Sequence, residues 1–394
     1  MADTKAVMLV KYGEISLRKG NRAYYEHQLM KLIRRKLKDM KSVQVFREQG
    51  RFLVEDTQGD LDTATVLPRI KNIFGLTGFA KCIKTTARDI HDLREIGLAF
   101  FQEAAPGAKT FKVETKRSDK TYPMQSGEVS ASIGERIFDQ CAAGVDVHNP
   151  EVVLRVEIRN NVYFYVNSTL GVGGLPYGSS GKGVLLLSGG LDSPIAGYLT
   201  ARRGVEIWPL YFHSPPFVSE RAADKVRDLA TVLAGYAGRL KLRFVPFTDV
   251  QMFLKENVQE EKLTIMLKRA MLRIASMFAT SENAHCIITG DSIGQVASQT
   301  MHSIAAVNSA ASHTILRPLA AMDKQHIIDI AREIGTFDIS IRPYDDCCTL
   351  FVAKHPENKP NTAVIERIEA SLERELVPLL EKAFAEIYVE TIVV

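Results

Sequence analysis

A short polar string that contains two glycines is the strongest candidate for chemistry in this chain. Ser188-Gly189-Gly190-Leu191-Asp192-Ser193 follows the apolar run Val184–Leu187 and precedes an expected helix that begins at Pro194. Adjacent glycines let the backbone turn tightly beside phosphate oxygens, and a helix N-terminus offers unpaired N–H groups to an anion. The string is neither a Walker A loop nor G-x-G-x-x-G. It predicts a phosphate site of another kind, in which Mg²⁺ lies between Asp192 and the phosphates.

Further residues are candidates for the same nucleotide site because they end neighbouring strands, where ligands of open α/β sheets bind. Leu186 and Leu187 end the strand before the loop, and the aromatic string that ends the next strand could hold an adenine base. Glycines after the strand at Cys286 permit close approach of backbone. Packing into the core explains the aromatic string equally well, and solvation explains the basic residues. These candidates are Tyr211, Phe212, His213, Lys268, Arg269, Gly290 and Gln299.

A lysine and a cysteine complete the set of candidates. Asp323 is placed to cap a helix, which puts Lys324 in its first turn, where a cation is disfavoured by the helix dipole. This position suggests that Lys324 binds the ATP phosphates. Cys347 and Cys348 are adjacent, and a thiolate can carry sulfur as a persulfide. The alternative is that both are inert core cysteines. The five cysteines are scattered and contain no C-x-x-C pair, which argues against a disulfide framework and against a structural zinc site.

The elements that would position these residues fall into three groups. Strand and helix patterns in the first 83 residues follow the order βαββαβ, which is typical of a ferredoxin-like domain. A second small α/β unit follows, with a hairpin around Arg159-Asn160-Asn161. Six glycines between Gly171 and Gly183 indicate a linker. From Gly183 onward, apolar strands alternate with helices, which predicts a doubly wound parallel sheet.

Composition narrows the classes of function. Residues 1–175 contain 27 Lys and Arg against 21 Asp and Glu, whereas the remainder contains 23 against 25. A basic first half suggests a polyanion partner, although so small a surplus can arise by chance. Apolar runs are too short to span a membrane, and the N-terminus lacks the pattern of a signal peptide. A cytoplasmic protein with no membrane partner is therefore expected.

Taken together, the strings resemble those of the tRNA 4-thiouridine synthetases (tRNA sulfurtransferases, the ThiI family), over essentially the whole chain. The strings are Lys11–Leu17, Phe111–Val113, Lys116–Lys120, Val145–Pro150, Ser188–Ser193, Gly290–Ser292, Met322–Lys324 and Asp346-Cys347. The resemblance implies a ferredoxin-like domain at 1–75, a THUMP RNA-binding domain at 76–170, a linker at 171–182 and a PP-loop ATP pyrophosphatase domain at 183–394.

The resemblance also implies roles. ATP and Mg²⁺ would bind at the loop, and Asp192 and Lys324 would be needed to adenylate a tRNA uridine, expected at position 8. Cys347 would act in the replacement of O4 by persulfide sulfur, and Lys116, Arg117 and Lys120 would contact RNA. Many relatives carry a C-terminal rhodanese domain, which this sequence lacks, so the expected sulfur donor is a cysteine desulfurase. A homodimer is a further expectation, by analogy of fold.

Other functions remain open from the sequence alone. Another PP-loop enzyme, which modifies tRNA differently or forms an amide, would share the Ser188–Ser193 string. A tRNA-binding protein without catalytic activity would share the basic first half but would have no need for both that string and Cys347.

Overall fold

The computed structural model describes residues 3–17, 20–48, 50–344 and 357–393. It divides into two compact units, Met1–Leu175 and Pro176–Val394. Within the described residues, no helix combines the length and the apolarity that crossing a membrane requires.

The first unit begins with the expected βαββαβ order. Its elements are β1 (Thr4–Tyr12), α1 (Arg22–Lys36), β2 (Val43–Glu48), β3 (Arg51–Asp56), α2 (Thr63–Ile70) and β4 (Leu76–Thr85). Helix α1 forms because Leu29 and Ile33 share one face and are buried, whereas its last turn carries Arg34, Arg35 and Lys36. Asp62 caps α2 by accepting the backbone N–H groups of Ala64 and Thr65.

The second half of this unit continues the same sheet. It adds α3 (Ile90–Ala104), β5 (Thr110–Arg117), α4 (Ser126–Gln140), β6 (Gly144–Val145), β7 (Val152–Ile158), β8 (Val162–Tyr165) and β9 (Thr169–Leu170). The strand order is β2-β3-β1-β4-β8-β7-β5-β6, and β9 pairs with β4. Strand β4 therefore joins both halves, because it pairs with β1 along one edge and with β8 along the other.

This sheet is strongly curved. Strands β3 and β7 are four positions apart, which is roughly 19 Å in a flat sheet. The Arg51 Nη1 atom nevertheless lies 2.8 Å from Glu157 Oε2, and the Tyr163 hydroxyl donates to Glu48. Burial alone would raise the pKa of Glu157, but Arg51, Tyr165 and Arg159 together lower it. The inner face of the curve is thus closed by a buried, charged network.

The second unit contains the expected sheet of alternating strands and helices. Its strands are β10 (Lys182–Leu186), β11 (Glu206–His213), β12 (Arg239–Pro246), β13 (Cys286–Ile288), β14 (Thr314–Leu316) and β15 (Tyr388–Val393), in the order β14-β13-β10-β11-β12-β15. The first five of these are parallel to their neighbours, as predicted. Strand β15 is antiparallel to β12, which the fully parallel prediction did not include.

The helices of this unit cover both faces of the sheet. They are α5 (Asp192–Arg202), α6 (Glu220–Ala237), α7 (Thr248–Asn257), α8 (Glu260–Ser281), α9 (Met301–Asn308), α10 (Lys324–Ile334), α11 (Phe337–Ser340) and α12 (Thr362–Ala385). Helix α5 lies very close to β10, since a side chain at Gly197 would come within 2.5 Å of Leu185 Cδ2. This close packing fixes the direction in which α5 presents its N-terminus.

The glycine-rich segment expected to be a linker is held at both ends. Gly171 and Gly173 donate to carbonyls of β4, and Leu175 is buried in the core of the first unit. Beyond the boundary of the units, the Ser180 N–H donates to the Gly204 carbonyl. The freedom expected of a glycine-rich linker is thus limited by backbone hydrogen bonds.

The network inside the curved sheet leads to a stability prediction. Arg51→Met should lower the free energy of unfolding by about 3 kcal/mol, because the buried Glu157 carboxylate loses its ion pair with Arg51 and keeps only Arg159 and Tyr165. Lys81→Met is the matched control, since the Lys81–Glu103 pair is half exposed and should contribute less than about 1 kcal/mol. Thermal unfolding and hydrogen exchange of the β3 and β7 peptides in the full chain measure the effect. Equal stability of the two variants would contradict this interpretation.

Candidate active site

The loop between β10 and α5 is braced by its own serines. The Ser193 Oγ accepts the Ser188 N–H at 2.9 Å and lies 3.2 Å from the Ser188 carbonyl. The Ser188 Oγ in turn accepts the Gly190 N–H at 3.3 Å. Ser193 is buried, so its hydroxyl shapes the loop rather than facing solvent. The loop therefore has a fixed form before any ligand binds.

The segment after β13 packs directly on the first residues of α5. A Cβ atom at Gly290 would lie 2.7 Å from the Ser193 backbone nitrogen and 2.8 Å from the Asp192 carbonyl carbon. Backbone cannot move aside as a flexible side chain can, so only glycine fits here. This contact brings two segments about a hundred residues apart to one point at the carboxyl ends of β10 and β13.

A cavity of about 300 Å³ opens at this point, a volume within the range of small-molecule sites. One part is apolar and contains Leu186, Leu187, Tyr211 and Phe212, as predicted. The other part is polar and is formed by the loop and by the ends of β13 and β14. The complete lining is Leu186, Leu187, Ser188, Gly190, Asp192, Ser193, Tyr211, Phe212, Lys268, Met271, Leu272, Thr289, Gly290, Asp291, Gln299, Val307 and Arg317. The apolar part suits a flat base, and the polar part suits phosphates.

Asp192 has a different partner on each oxygen of its carboxylate. The Lys324 Nζ lies 2.8 Å from Oδ1, and the Gln295 Nε2 donates to Oδ2 at 2.9 Å. Lys324 is the first residue of α10, as expected, although Asp323 makes no side-chain capping bond. The Asp192 carboxylate offsets the unfavourable position of this cation at a helix start. The two residues predicted to be essential are thus in direct contact.

A second carboxylate lies between two cations in the cavity wall. The Asp291 Oδ1 is 3.4 Å from Lys268 Nζ, and its Oδ2 is 3.4 Å from Arg317 Nε and accepts the Thr289 hydroxyl at 2.8 Å. Burial alone would raise the pKa of Asp291, but Lys268, Thr289 and Arg317 lower it. Asp291 is therefore ionised at neutral pH and holds both cations beside the cavity.

Four residues that were predicted to bind ATP or its phosphates do not line the cavity: Gly189, His213, Arg269 and Lys324. Arg269 is buried elsewhere, with its guanidinium on Glu369, on the Ala306 carbonyl and on Ser309. The correction follows from helix geometry, because consecutive residues of α8 point about 100° apart, so Lys268 and Arg269 cannot face the same side. His213 stacks on Tyr211, which lines the cavity, and burial lowers the pKa of the His213 imidazole. Gly189 lies within the loop but outside the lining.

Cys347 and Cys348 fall in 345–356, outside the described residues. Their predicted role therefore stays a prediction. Among the described residues, no group of three or more His, Cys, Asp and Glu side chains is arranged to hold a metal ion.

The three residues predicted to bind RNA differ in their surroundings. Lys116 and Lys120 are exposed in the first unit. Arg117 instead donates to the Tyr122 and Met124 carbonyls at 2.7 and 3.0 Å and to Gln125 at 2.9 Å. Its guanidinium is used to hold the loop that follows β5, so Arg117 supports this surface rather than presenting a free charge.

The sequence contained signals for some of the missed lining residues. Met271 and Leu272 follow Lys268 by three and four positions on α8, so helical periodicity places all three on one face. Asp291 stands within the glycine-containing string after β13. Arg317 had no usable signal, because β14 before it has only three residues.

Three family models match the chain. The model described as thiamine biosynthesis protein (ThiI) covers residues 178–374, the ThiI ferredoxin-like domain covers 7–80, and the THUMP domain covers 87–167. These ranges fall in the order expected from the sequence.

Relatives and solved structures agree with the models. A probable tRNA sulfurtransferase of Lachnoclostridium phytofermentans is 45% identical, with 95% of this chain and 96% of the relative covered. Another, of Acetivibrio thermocellus, is 42% identical, with 98% and 99% covered. A crystal structure of a 4-thiouridine synthetase in complex with RNA and with bound ATP has a TM-score of 0.90 and 37% identity, with 98% of this chain and all of that chain covered.

The contact at Gly290 leads to a prediction about the cavity. Gly290→Ala should weaken ATP binding by about 5- to 150-fold, because the added methyl group must displace the loop backbone, and overpacking of this kind typically costs about 1–3 kcal/mol. Gly235→Ala is the matched control: nothing lies within 4 Å of its added Cβ on α6. Titration calorimetry with ATP measures both variants. Unchanged affinity in Gly290→Ala would mean that the loop does not form the site.

Proposed function

The chain belongs to the ThiI family of tRNA sulfurtransferases, and from this membership we propose the chemistry that its own residues perform. The enzyme converts a uridine of tRNA into 4-thiouridine with the use of ATP, and position 8 is the proposed target. The observation that carries the proposal is the contact between Lys324 and Asp192, which itself lines a cavity with an apolar part and the Ser188–Ser193 loop.

In the first step, the uracil O4 attacks the α-phosphate of ATP, pyrophosphate leaves, and the N3 proton of the uracil passes to solvent. We propose that the loop amides and Lys324 bind the phosphates, and that Asp192 orients Lys324 toward the reacting phosphate. Lys268 and Arg317 would stabilise negative charge from the opposite wall, since fixed cations near developing charge lower the barrier. Leu186, Leu187, Tyr211 and Phe212 would hold the adenine base.

In the second step, the terminal sulfur of a persulfide attacks C4, and AMP leaves with the former O4. A thiol then attacks the carrier sulfur, which breaks the S–S bond, forms a disulfide and leaves the terminal sulfur on C4 as 4-thiouridine. Cys347 is the proposed group that receives or releases this sulfur, and a separate cysteine desulfurase is the proposed donor. Mg²⁺ is proposed to accompany the triphosphate, and Asp192 is the carboxylate of the loop that could contribute to its coordination.

The first unit is proposed to bind tRNA. Exposed Lys116 and Lys120 support this, because cations that neutralise phosphates provide most of the affinity for RNA irrespective of sequence. The proposed domain boundaries remain 1–75, 76–170, 171–182 and 183–394. A homodimer, in which a tRNA contacts both copies, is also proposed.

Two variants should separate the two steps. Asp192→Ala should reduce tRNA-dependent pyrophosphate release by about two orders of magnitude or more, because Lys324 loses its partner at the reacting phosphate. Cys347→Ser should leave pyrophosphate release intact and abolish the near-ultraviolet absorbance of 4-thiouridine, in assays with Mg-ATP, cysteine and a cysteine desulfurase. The matched controls are Asp249→Ala, in an exposed ion pair with Lys382, and Cys141→Ser, in the first unit.

Full thiolation by Cys347→Ser would contradict the proposed sulfur step. Absence of both pyrophosphate release and 4-thiouridine with the unmodified enzyme would contradict the function itself.

The RNA-binding residues should differ in the kind of defect they cause. Lys116→Ala and Lys120→Ala should each weaken tRNA binding and lower the slope of log affinity against log salt by about 1, since each removes one phosphate contact. Arg117→Ala should chiefly lower the thermal midpoint, because the loop after β5 loses three hydrogen bonds. Filter binding across a salt series, with thermal unfolding alongside, tests this. An unchanged salt slope in both lysine variants would exclude this surface as an RNA contact.

A further inference from the structure

Gln295 is the partner of Asp192 that the reaction described above does not use. It lies in the segment from Ser292 to Gln299. Backbone N–H groups hold this segment by donating from Ile293 to Ala320, from Gly294 to Gln299, from Gln295 to Ser292 and from Gln299 to Val296. Gly294 adopts a φ of +76°, which a residue with a side chain rarely does. The segment therefore fixes the Gln295 amide against Asp192 in the absence of ligand.

The orientation of this amide is determined by its partner. An ionised carboxylate only accepts hydrogen bonds, so the atom that faces Asp192 Oδ2 must be the Gln295 NH₂ group. The Gln295 Oε1 then points away from Asp192. It is buried and accepts no hydrogen bond from any residue that the structure describes. A buried acceptor without a donor costs about 1–3 kcal/mol, and such a group is expected where a ligand supplies the donor.

The position of Gln295 distinguishes between the two substrates. Gln299 lines the cavity, and its Oε1 also lacks a donor among the described residues, so this amide can serve the nucleotide. Gln295 does not line the cavity. In the same segment, Ile293 and Val296 are 49% and 52% exposed. Gln295 thus belongs to a segment that reaches the surface, and the donor for its Oε1 does not have to come from the nucleotide.

We propose that Gln295 positions the target uracil and determines the specificity for it. Its Oε1 accepts a hydrogen bond from the N3–H of the base, and its NH₂ group orients Asp192. This rests on the proposed function, in which uracil O4 approaches the α-phosphate beside Asp192 and Lys324. N3 is bonded to C4, so an acceptor for N3–H places O4 at the reacting phosphate. Exposed Ile293 and Val296 offer apolar contacts to the faces of the base. Cytosine has no N3–H, and its N3 lone pair would face the amide oxygen.

The test compares two RNAs that differ only in the base at the thiolated position. Full-length tRNA transcripts carrying uridine or cytidine at the thiolated position are bound to the full chain in the presence of an ATP analogue that cannot be cleaved between the α- and β-phosphates. The unmodified protein should bind the uridine transcript roughly tenfold more tightly. Gln295→Ala and Gln295→Asn should reduce this preference to within about threefold, and should reduce kcat/KM for thiolation by a similar factor or more. Both variants should still bind the ATP analogue, which also shows that they are folded.

Gln325→Ala is the matched control, because Gln325 is an exposed amide beside Lys324 that bonds to Asp329. It should keep the preference for uridine. Retention of the full preference and rate by Gln295→Ala would overturn the proposal while leaving the thiolation function intact. Failure of the unmodified protein to form 4-thiouridine would instead overturn both.

Discussion

The Asp192 carboxylate is the point at which three distant segments of the chain meet. Its backbone begins α5, Lys324 reaches it from the start of α10, and Gln295 reaches it from the loop after β13. Two of these positions are costly alone: a cation at a helix start, and an acid beside a loop that binds phosphate. The parallel sheet makes the meeting possible, because β10 and β13 are neighbours and their carboxyl ends coincide.

The two units use buried charge in different ways. In the first unit, Arg51 and Glu157 each have more than one charged or polar partner, and the network closes the inner face of a curved sheet. Such a network stabilises one curvature of the sheet and is not exposed to ligand. In the second unit, Asp192 holds a cation at 2.8 Å and Asp291 holds two cations at 3.4 Å, beside an open cavity. A polyanion in this cavity can bind the same cations, either together with the carboxylates or in their place. The structural and functional ion pairs thus differ more in whether a ligand can reach them than in the types of residue that form them.

Most strands and helices could be predicted from the sequence, because apolar periodicity and glycine placement were strong from β1 to β13. The loop Ser188–Ser193 was equally clear, since six consecutive residues stood between a strand and a helix. The direction of single side chains was less accessible. Lys268 and Arg269 are adjacent and alike in charge, yet one lines the cavity and the other is buried on Glu369. Arg117 was expected to contact RNA on the basis of the family resemblance, which gave no sign of the bonds that its guanidinium makes to the loop after β5. Strand β15 was not predicted. It lies at the edge of the sheet and is antiparallel to β12, and tertiary packing decides which segment takes such an edge position.

A site for a polyanion that contains two carboxylates requires a physical explanation. Without ligand, Lys268, Arg317 and Lys324 would repel each other and would be free to turn into solvent. Asp291 and Asp192 hold them in place, and the rather long 3.4 Å contacts of Asp291 leave its cations able to reorient toward phosphate oxygens. Much of the side-chain entropy that binding would otherwise lose is therefore lost on folding. The carboxylates reduce the net attraction for phosphate, but they give each cation a defined position, and it is position at the reacting phosphate that accelerates the reaction.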